Sequence, residues 1–237
     1  MKESEAVRNV NRKEKKFLLD VASAQRLQYQ LASVLQGDAH NGAQGYPVRS
    51  LYFDTLHDRD YAEKLFGLDP RRKVRLRVYA PDADFALLEL KQKQGEVQRK
   101  RSLFVSRDEA RSLMSGSYGF LAERPEPFAR EMHALMSING YRPKTIVEYD
   151  RTAFIAKENK TRITFDRKVR ATETCLDLFS ENLSLMPVFD PFNVILEVKF
   201  DGFLLSYIRA ILNSADKSEL SVSKYCLARS TTMAYQF

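Results

Sequence analysis

The sequence is short of the residues most often recruited for acid–base and metal chemistry: 237 residues carry three histidines (His40, His57 and His133), two cysteines and no tryptophan. No two histidines are neighbours, so an imidazole-based zinc site or a Ser/His/Asp arrangement is set aside. Cys175 and Cys226 have neither metal-like spacing nor a histidine nearby, and read as reduced, unreactive residues. Glycine is scarce at nine residues, and there is no Walker-type loop and no GxGxxG. Any nucleotide must therefore be held by side chains. No window approaches the ~18 consecutive apolar residues of a membrane span, and the start of the chain (Lys2, Glu3, Glu5, Arg8) lacks the apolar core of a secretory signal. A cytoplasmic protein without a membrane span is the expectation, with no linker to divide it. Residues 10–230 are read as one domain and residues 1–9 as a flexible leader.

What is present is positive charge in an ordered pattern. The net charge is +7 and the pI near 9.3, which points to an acidic partner: nucleic acid, an anionic membrane surface or a phosphate-rich molecule. The excess sits in strand-like segments. Lys73-Val74-Arg75-Leu76-Arg77-Val78-Tyr79 alternates strictly, with three cations on one face at a spacing of about 7 Å and an apolar opposite face. Like charges so placed repel, and are tolerated where water, carboxylates or a polyanion screens them. The same alternation recurs. Arg12, Glu14 and Lys16 share a face of a first strand; Glu89, Lys91 and Lys93 share one in 85–93; Gln98, Lys100 and Ser102 follow in 97–105. In 144–156 the set is Val147, Tyr149, Arg151 and Ala153. In 161–172 it is Arg162, Thr164, Asp166, Lys168 and Arg170, and in 194–201 it is Glu197, Lys199 and Asp201.

Between these strands, helical spacing predicts helices over about 22–35, 127–138 and 203–212, and Ser106 with Glu109 has the spacing of a capping box. Helices need apolar strand faces to pack on, so the charged faces turn to water or inward. Eight strands are about the number that closes a small barrel. The expected fold is therefore α+β, a closed antiparallel barrel of about eight strands with helices outside. Arg12, Lys16, Arg75, Arg77, Lys91, Lys100, Arg151, Arg162 and Lys199 would line its charged tunnel. Arginine forks and lysine point charges suit phosphate oxygens. Glu14, Glu89 and Glu197, ionised in such surroundings, would neutralise neighbours or hold a hard divalent ion.

The ordered set Arg12-x-Glu14-x-Lys16, Ser50-x-Tyr52-Phe53-Asp54-Thr55, Arg75-x-Arg77, Glu89-x-Lys91, Lys100-Arg101, Tyr149-x-Arg151-x-Ala153, Arg162-x-Thr164-x-Asp166, Glu197-x-Lys199 and Ser223-Lys224-Tyr225 resembles the catalytic domain of the vacuolar transporter chaperone (VTC) proteins. These belong to the CYTH-like triphosphate tunnel metalloenzymes. The resemblance implies a tunnel that binds ATP or another triphosphate with a divalent metal (Mn2+ or Mg2+), and a polyphosphate polymerase that moves the terminal phosphate of ATP onto a growing chain. It implies that Lys16, Arg75, Arg77, Lys91, Lys100, Arg151, Arg162 and Lys199 grip phosphates, with Arg12, Lys73 and Tyr149 as further substrate contacts. Glu197 is the foremost metal ligand, with Glu14 and Glu89 as candidates, and Ser223 and Lys224 close one tunnel end. Arg12 stands where hydrolase and cyclase relatives carry a first glutamate, a departure that favours the polymerase branch. A metal-dependent triphosphatase and a binding module without turnover are the alternatives. A sequence-specific nucleic-acid binder ranks lower, because Tyr79 and Tyr149 are the main aromatics interleaved on the cationic face.

Overall fold

The computed structural model describes residues 8–10, 12–95, 97–221 and 223–234. In chain order the elements are β1 (Arg8–Val10), β2 (Arg12–Asp20), α1 (Val21–Ala32), β3 (Gln36–Gly37), β4 (Tyr46–Asp54) and α2 (Arg59–Leu65). A meander of β5 (Arg71–Val78), β6 (Phe85–Gln94) and β7 (Val97–Ser106) comes next, then α3 (Arg107–Met114), α4 (Phe120–Glu123) and α5 (Pro127–Ile138). The second half contains β8 (Arg142–Ala156), β9 (Thr161–Thr172), β10 (Met186–Pro187), β11 (Asn193–Asp201), α6 (Ser206–Asn213), β12 (Ser218–Glu219) and α7 (Lys224–Ala234). The α3 start is the predicted capping box: the Ser106 hydroxyl accepts the Glu109 N–H, and the Glu109 carboxylate accepts the Ser106 N–H.

All ladders are antiparallel, in the order β1-β7-β6-β5-β4-β8-β9-β11-β2-β12, with β3 and β10 on the side. The expected closed barrel is corrected on this point, because the hydrogen-bonded path runs from β1 to β12 and does not return. β1 at one margin and β2, the last long strand before the two-residue β12, are nonetheless consecutive pieces of chain. Arg8–Val10 pairs with β7, and from Arg12 onward the chain pairs with β11, so covalent continuity, not a closed ladder, draws the margins together. Residues 8 and 9, at the end of the expected leader, lie in a strand that pairs with β7. Residues 1–7 lie outside the described residues.

Two apolar cores sit on the outer face of the sheet. Val74, Leu76 and Val78 pack with Leu88, Leu103, Leu113, Phe128 and Met132 under α3 to α5. Leu27, Leu31, Phe165, Leu196, Val198 and Ile208 form the second core, under α1 and α6. A third cluster is on the inner face, where Val48, Tyr52, Val147, Val169 and Ile195 meet Tyr225 and Ala228 of α7. This last helix thus fills one end of the interior. The face assignment for 161–172 needs one correction. Lys168 has φ 51°, and the residue-for-residue pairing of β8 with β9 slips between Glu148 and Asp150. Past this bulge Val169 and Ala171 point inward, while Arg170 turns outward to Glu148 at 2.8 Å.

Candidate functional site: a cation-lined tunnel

The inner faces of eight strands (β2, β4 to β9 and β11) and the start of α7 surround one cavity of about 1030 Å³. Twelve lysines and arginines and only three glutamates line it. Alternation explains how they arrive there. The residues of β5 that bury Val74, Leu76 and Val78 outward must turn Lys73, Arg75, Arg77 and Tyr79 inward. The ladder then sets Arg75 opposite Glu89 and Tyr52, and Lys73 opposite Lys91.

Some of the charge is internally compensated. Glu89, fully buried, takes Arg75 at 2.6 Å and Lys100 in a close ion pair, with Arg77 at 3.9 Å. Burial alone would raise its carboxyl, but these three cations hold it well below the usual range. A second knot joins Asp166, Glu197, Arg151 and Lys224. Arg151 grips Asp166 with two bonds of 2.7 and 2.8 Å. Lys224 Nζ lies 2.6 Å from Asp166 and 2.9 Å from Glu197. Lys199 adds a contact to Glu197 at 2.8 Å, and Lys16 stands 3.8 Å from Glu197 and 3.3 Å from Glu14. Against burial, Lys199 and then Lys224, Lys16 and Arg151 keep Glu197 far down, while Lys199, Lys16 and Lys91 hold Glu14 at about 2.

Among the described residues Lys73 and Lys91 are not compensated by an ion pair. Among the described residues Lys91 has no carboxylate within 4.0 Å, and burial, reinforced by Arg75 and Lys199, depresses its ammonium well below the usual lysine range. Lys73 donates to the Ser223 hydroxyl at 2.5 Å and is lowered to about 8, chiefly by burial. Both would recover their ordinary basicity beside an anion, so the cavity is electrostatically prepared for one. Tyrosines steer the forks: Arg75 donates to the Tyr52 hydroxyl at 3.1 Å, and Arg162 to that of Tyr46 at 3.0 Å. The Tyr149 ring lies under both Arg151 and Lys224.

A VTC domain model matches residues 11–233. The chain belongs to the VTC domain family. No curated protein matches the chain significantly. Among solved structures, the VTC domain is similar to HpAC1 of Hippeastrum, a candidate adenylyl cyclase reported to have a dominant triphosphatase activity. That likeness has TM-score 0.57 and 15% identity, and covers 92% of this chain and 95% of that one. A candidate adenylate cyclase from Bacillus halodurans has TM-score 0.49 and 14% identity, covering 86% and 89%. At such identity the Hippeastrum likeness speaks to the fold alone.

Within this VTC domain Lys16, Lys73, Arg75, Arg77, Lys91, Lys100, Tyr149, Arg151, Arg162, Lys199, Ser223 and Lys224 all face the one cavity, as do Glu14 and Glu197. Glu89 lies behind the lining, beneath Arg75 and Lys100. Arg12 opposes Asp201 in the ladder, and the expectation for its side chain lies outside the described residues. Arg101, quoted in the family-like pairs, faces outward to Glu131 of α5 at 2.5 Å. Asp166 pairs with Arg151 and Lys224, not with Arg162 or Arg167 as its neighbours in sequence suggest. Arg162 instead reaches Asp38 at 2.7 Å. Sequence reasoning missed Tyr46, Gln92, Arg99, Phe104 and Arg124 in the lining. Strand register could have found Phe104, two residues beyond Ser102 on the same face.

Proposed function

We propose that this protein is a polyphosphate polymerase, transferring the terminal phosphate of ATP to a growing polyphosphate chain inside the tunnel. The observation that carries the reading is the state of the tunnel acids. Glu14, Glu89 and Glu197 are all held down by cations, and no histidine lines the cavity among the described residues. A carboxylate held so far below the usual range is a poor general base at neutral pH. Water needs deprotonation to attack phosphorus, whereas the end of a polyphosphate chain is already anionic. A cavity whose three lining carboxylates are each engaged by a cation supports transfer to phosphate over hydrolysis, and phosphoryl transfer asks mainly for positioning and charge stabilisation. Arg75, Arg77, Lys91, Lys100, Arg151 and Arg162 are placed to bind and align phosphate oxygens, with Lys16, Lys73 and Lys199 beside them. Ser223 and Lys224 bound one end.

A divalent ion, Mn2+ or Mg2+, fits the donor set in one way. Among the described residues no three carboxylate, histidine or cysteine side chains form a cage. Glu14 and Glu197, however, share Lys16, and Mg2+-like ions commonly take one or two carboxylates with substrate phosphates completing the shell. These two residues would hold the ion, which would offset charge between phosphate oxygens. Glu89, fully buried and outside the cavity lining, is not available for this.

A metal-dependent triphosphatase is the second reading, favoured by the activity reported for the Hippeastrum structure. Incubation with ATP and Mn2+ or Mg2+, with long-chain polyphosphate resolved from free phosphate, separates them. Chain growth is the expected result; free phosphate alone supports the triphosphatase, and tight triphosphate binding with neither product supports a binding module. Among the described residues no helix is long and apolar enough to cross a membrane.

A further inference from the structure

The two ends of the tunnel are chemically unlike. Inward residues of β5 run from Lys73, which meets Ser223 at the start of α7, through Arg75 and Arg77 to Tyr79. At the Tyr79 end three rings gather. Tyr79 lies 6.1 Å from Tyr46 and 6.5 Å from His40, nearly parallel to the latter at 16°, and His40 is 6.0 Å from Tyr46. On the neighbouring strands β6 and β7, Phe85 and Phe104 pair at 5.4 Å. The ladder sets Leu87 opposite both Arg77 and Phe104, and Phe85 one inward position beyond it, so both phenylalanines belong to the same end. Tyr46, Tyr79 and Phe104 line the cavity itself.

These rings are not core. Tyr79 is 45%, Phe85 49% and Phe104 57% exposed, and apolar surface gathered in one place marks a contact where scattered residues would not. They are also tied to the phosphate-facing charges. Arg162 donates to the Tyr46 hydroxyl at 3.0 Å and pairs with Asp38 at 2.7 Å, and Asp38 meets His40 Nδ1 at 2.8 Å. The geometry points to a nucleobase-stacking collar: His40, Tyr46, Tyr79, Phe85 and Phe104 receive the base of a nucleoside triphosphate whose phosphates run inward past Arg77. Arg77 lies in β5 and Tyr79 in the bend that follows it, and both line the cavity, an order suited to the first phosphate and the base of one nucleotide. Stacking on aromatic rings is worth roughly 1–3 kcal/mol per base and accepts any base, so the collar distinguishes a nucleotide from an inorganic polyphosphate. It does not strongly distinguish one nucleotide from another.

This inference rests on the tunnel being a triphosphate site, and the test keeps the two apart. Calorimetric titration of the wild type, Tyr79→Ala and Tyr79→Phe is made with ATP, UTP and inorganic tripolyphosphate. Tyr79→Ala is expected to weaken ATP and UTP about tenfold with tripolyphosphate within about twofold of the wild type, and Tyr79→Phe to retain nucleotide affinity. Unchanged ATP affinity in Tyr79→Ala, or an equal loss for all three ligands, overturns the collar and leaves the triphosphate site standing. A wild type that binds none of the three overturns both.

Discussion

Two clusters of buried acids lie on either side of α7 and behave in opposite ways. In the tunnel, Glu14 and Glu197 are surrounded by lysines and held ionised. On the other side, Asp54 accepts the N–H groups of Thr55, Asp60 and Tyr61 at 2.7, 2.9 and 2.9 Å, together with the Tyr225 hydroxyl at 2.6 Å. Asp60 beside it takes the Tyr141 hydroxyl at 2.9 and 3.0 Å. Burial, and then the charge of Asp54, push the Asp60 carboxyl up to about 8. Burial is of one kind in both places, so the neighbours decide the sign. Acids among cations serve as counter-charges for a site that otherwise awaits an anion. Acids among tyrosines and backbone N–H groups serve as an anchor, fixing α7 and α2 to β4 so that Lys224 and Ser223 reach the tunnel.

The largest expected effect comes from breaking the tunnel side. Glu197→Ala removes the counter-charge of Lys199 and Lys224 and the foremost proposed metal ligand. Turnover should fall by two to three orders of magnitude, about 3–4 kcal/mol, while triphosphate binding stays detectable because the cationic surplus grows. Metal-dependent activity at the wild-type level would remove Glu197 from the site. Next in size is Arg75→Ala, which deletes a charge-assisted donor worth about 1.5–3 kcal/mol. Triphosphate affinity should drop at least about tenfold, and an unaltered affinity would mean that phosphates do not pass this point of β5.

Much of this arrangement was legible in the sequence, and the limits have physical causes. The alternation in 73–79 placed Val74, Leu76 and Val78 under helices and Arg75 and Arg77 inside, because a two-residue period leaves no other choice once one face is apolar. The same reasoning failed beyond Lys168, where a single left-handed residue shifts the faces by one. Partnerships such as Lys224 with Asp166 depend on which strands adjoin, and spacing along the chain does not carry that. The helix α7 was invisible for another reason. It buries Tyr225 and Ala228 against the inside of the sheet, so its sequence shows no wide apolar stripe of the kind that marks a helix packed outside.

The effects on stability sharpen the comparison most directly, since the two clusters should impose opposite pH slopes on it. Glu14 is held at about 2 against an ordinary 4.5. Its contribution, about 3 kcal/mol, is present above pH 4.5 and is lost as pH falls toward 2. Asp60 is raised from 3.8 to about 8, so the folded state keeps a proton that the unfolded chain releases. Its contribution is complete below pH 3.8 and declines by about 1.4 kcal/mol per pH unit as pH rises to about 8. Asp60→Asn retains an acceptor for the Tyr141 hydroxyl and removes the titration, so its urea-unfolding free energy should gain on the wild type by that slope across the neutral range. Triphosphate binding should be unchanged. Glu14→Gln should flatten only the acid limb. Parallel stability curves for the wild type and Asp60→Asn from about pH 5 to 8 would show that Asp60 is ionised in the folded protein, and that the two clusters do not differ in the way their neighbours dictate.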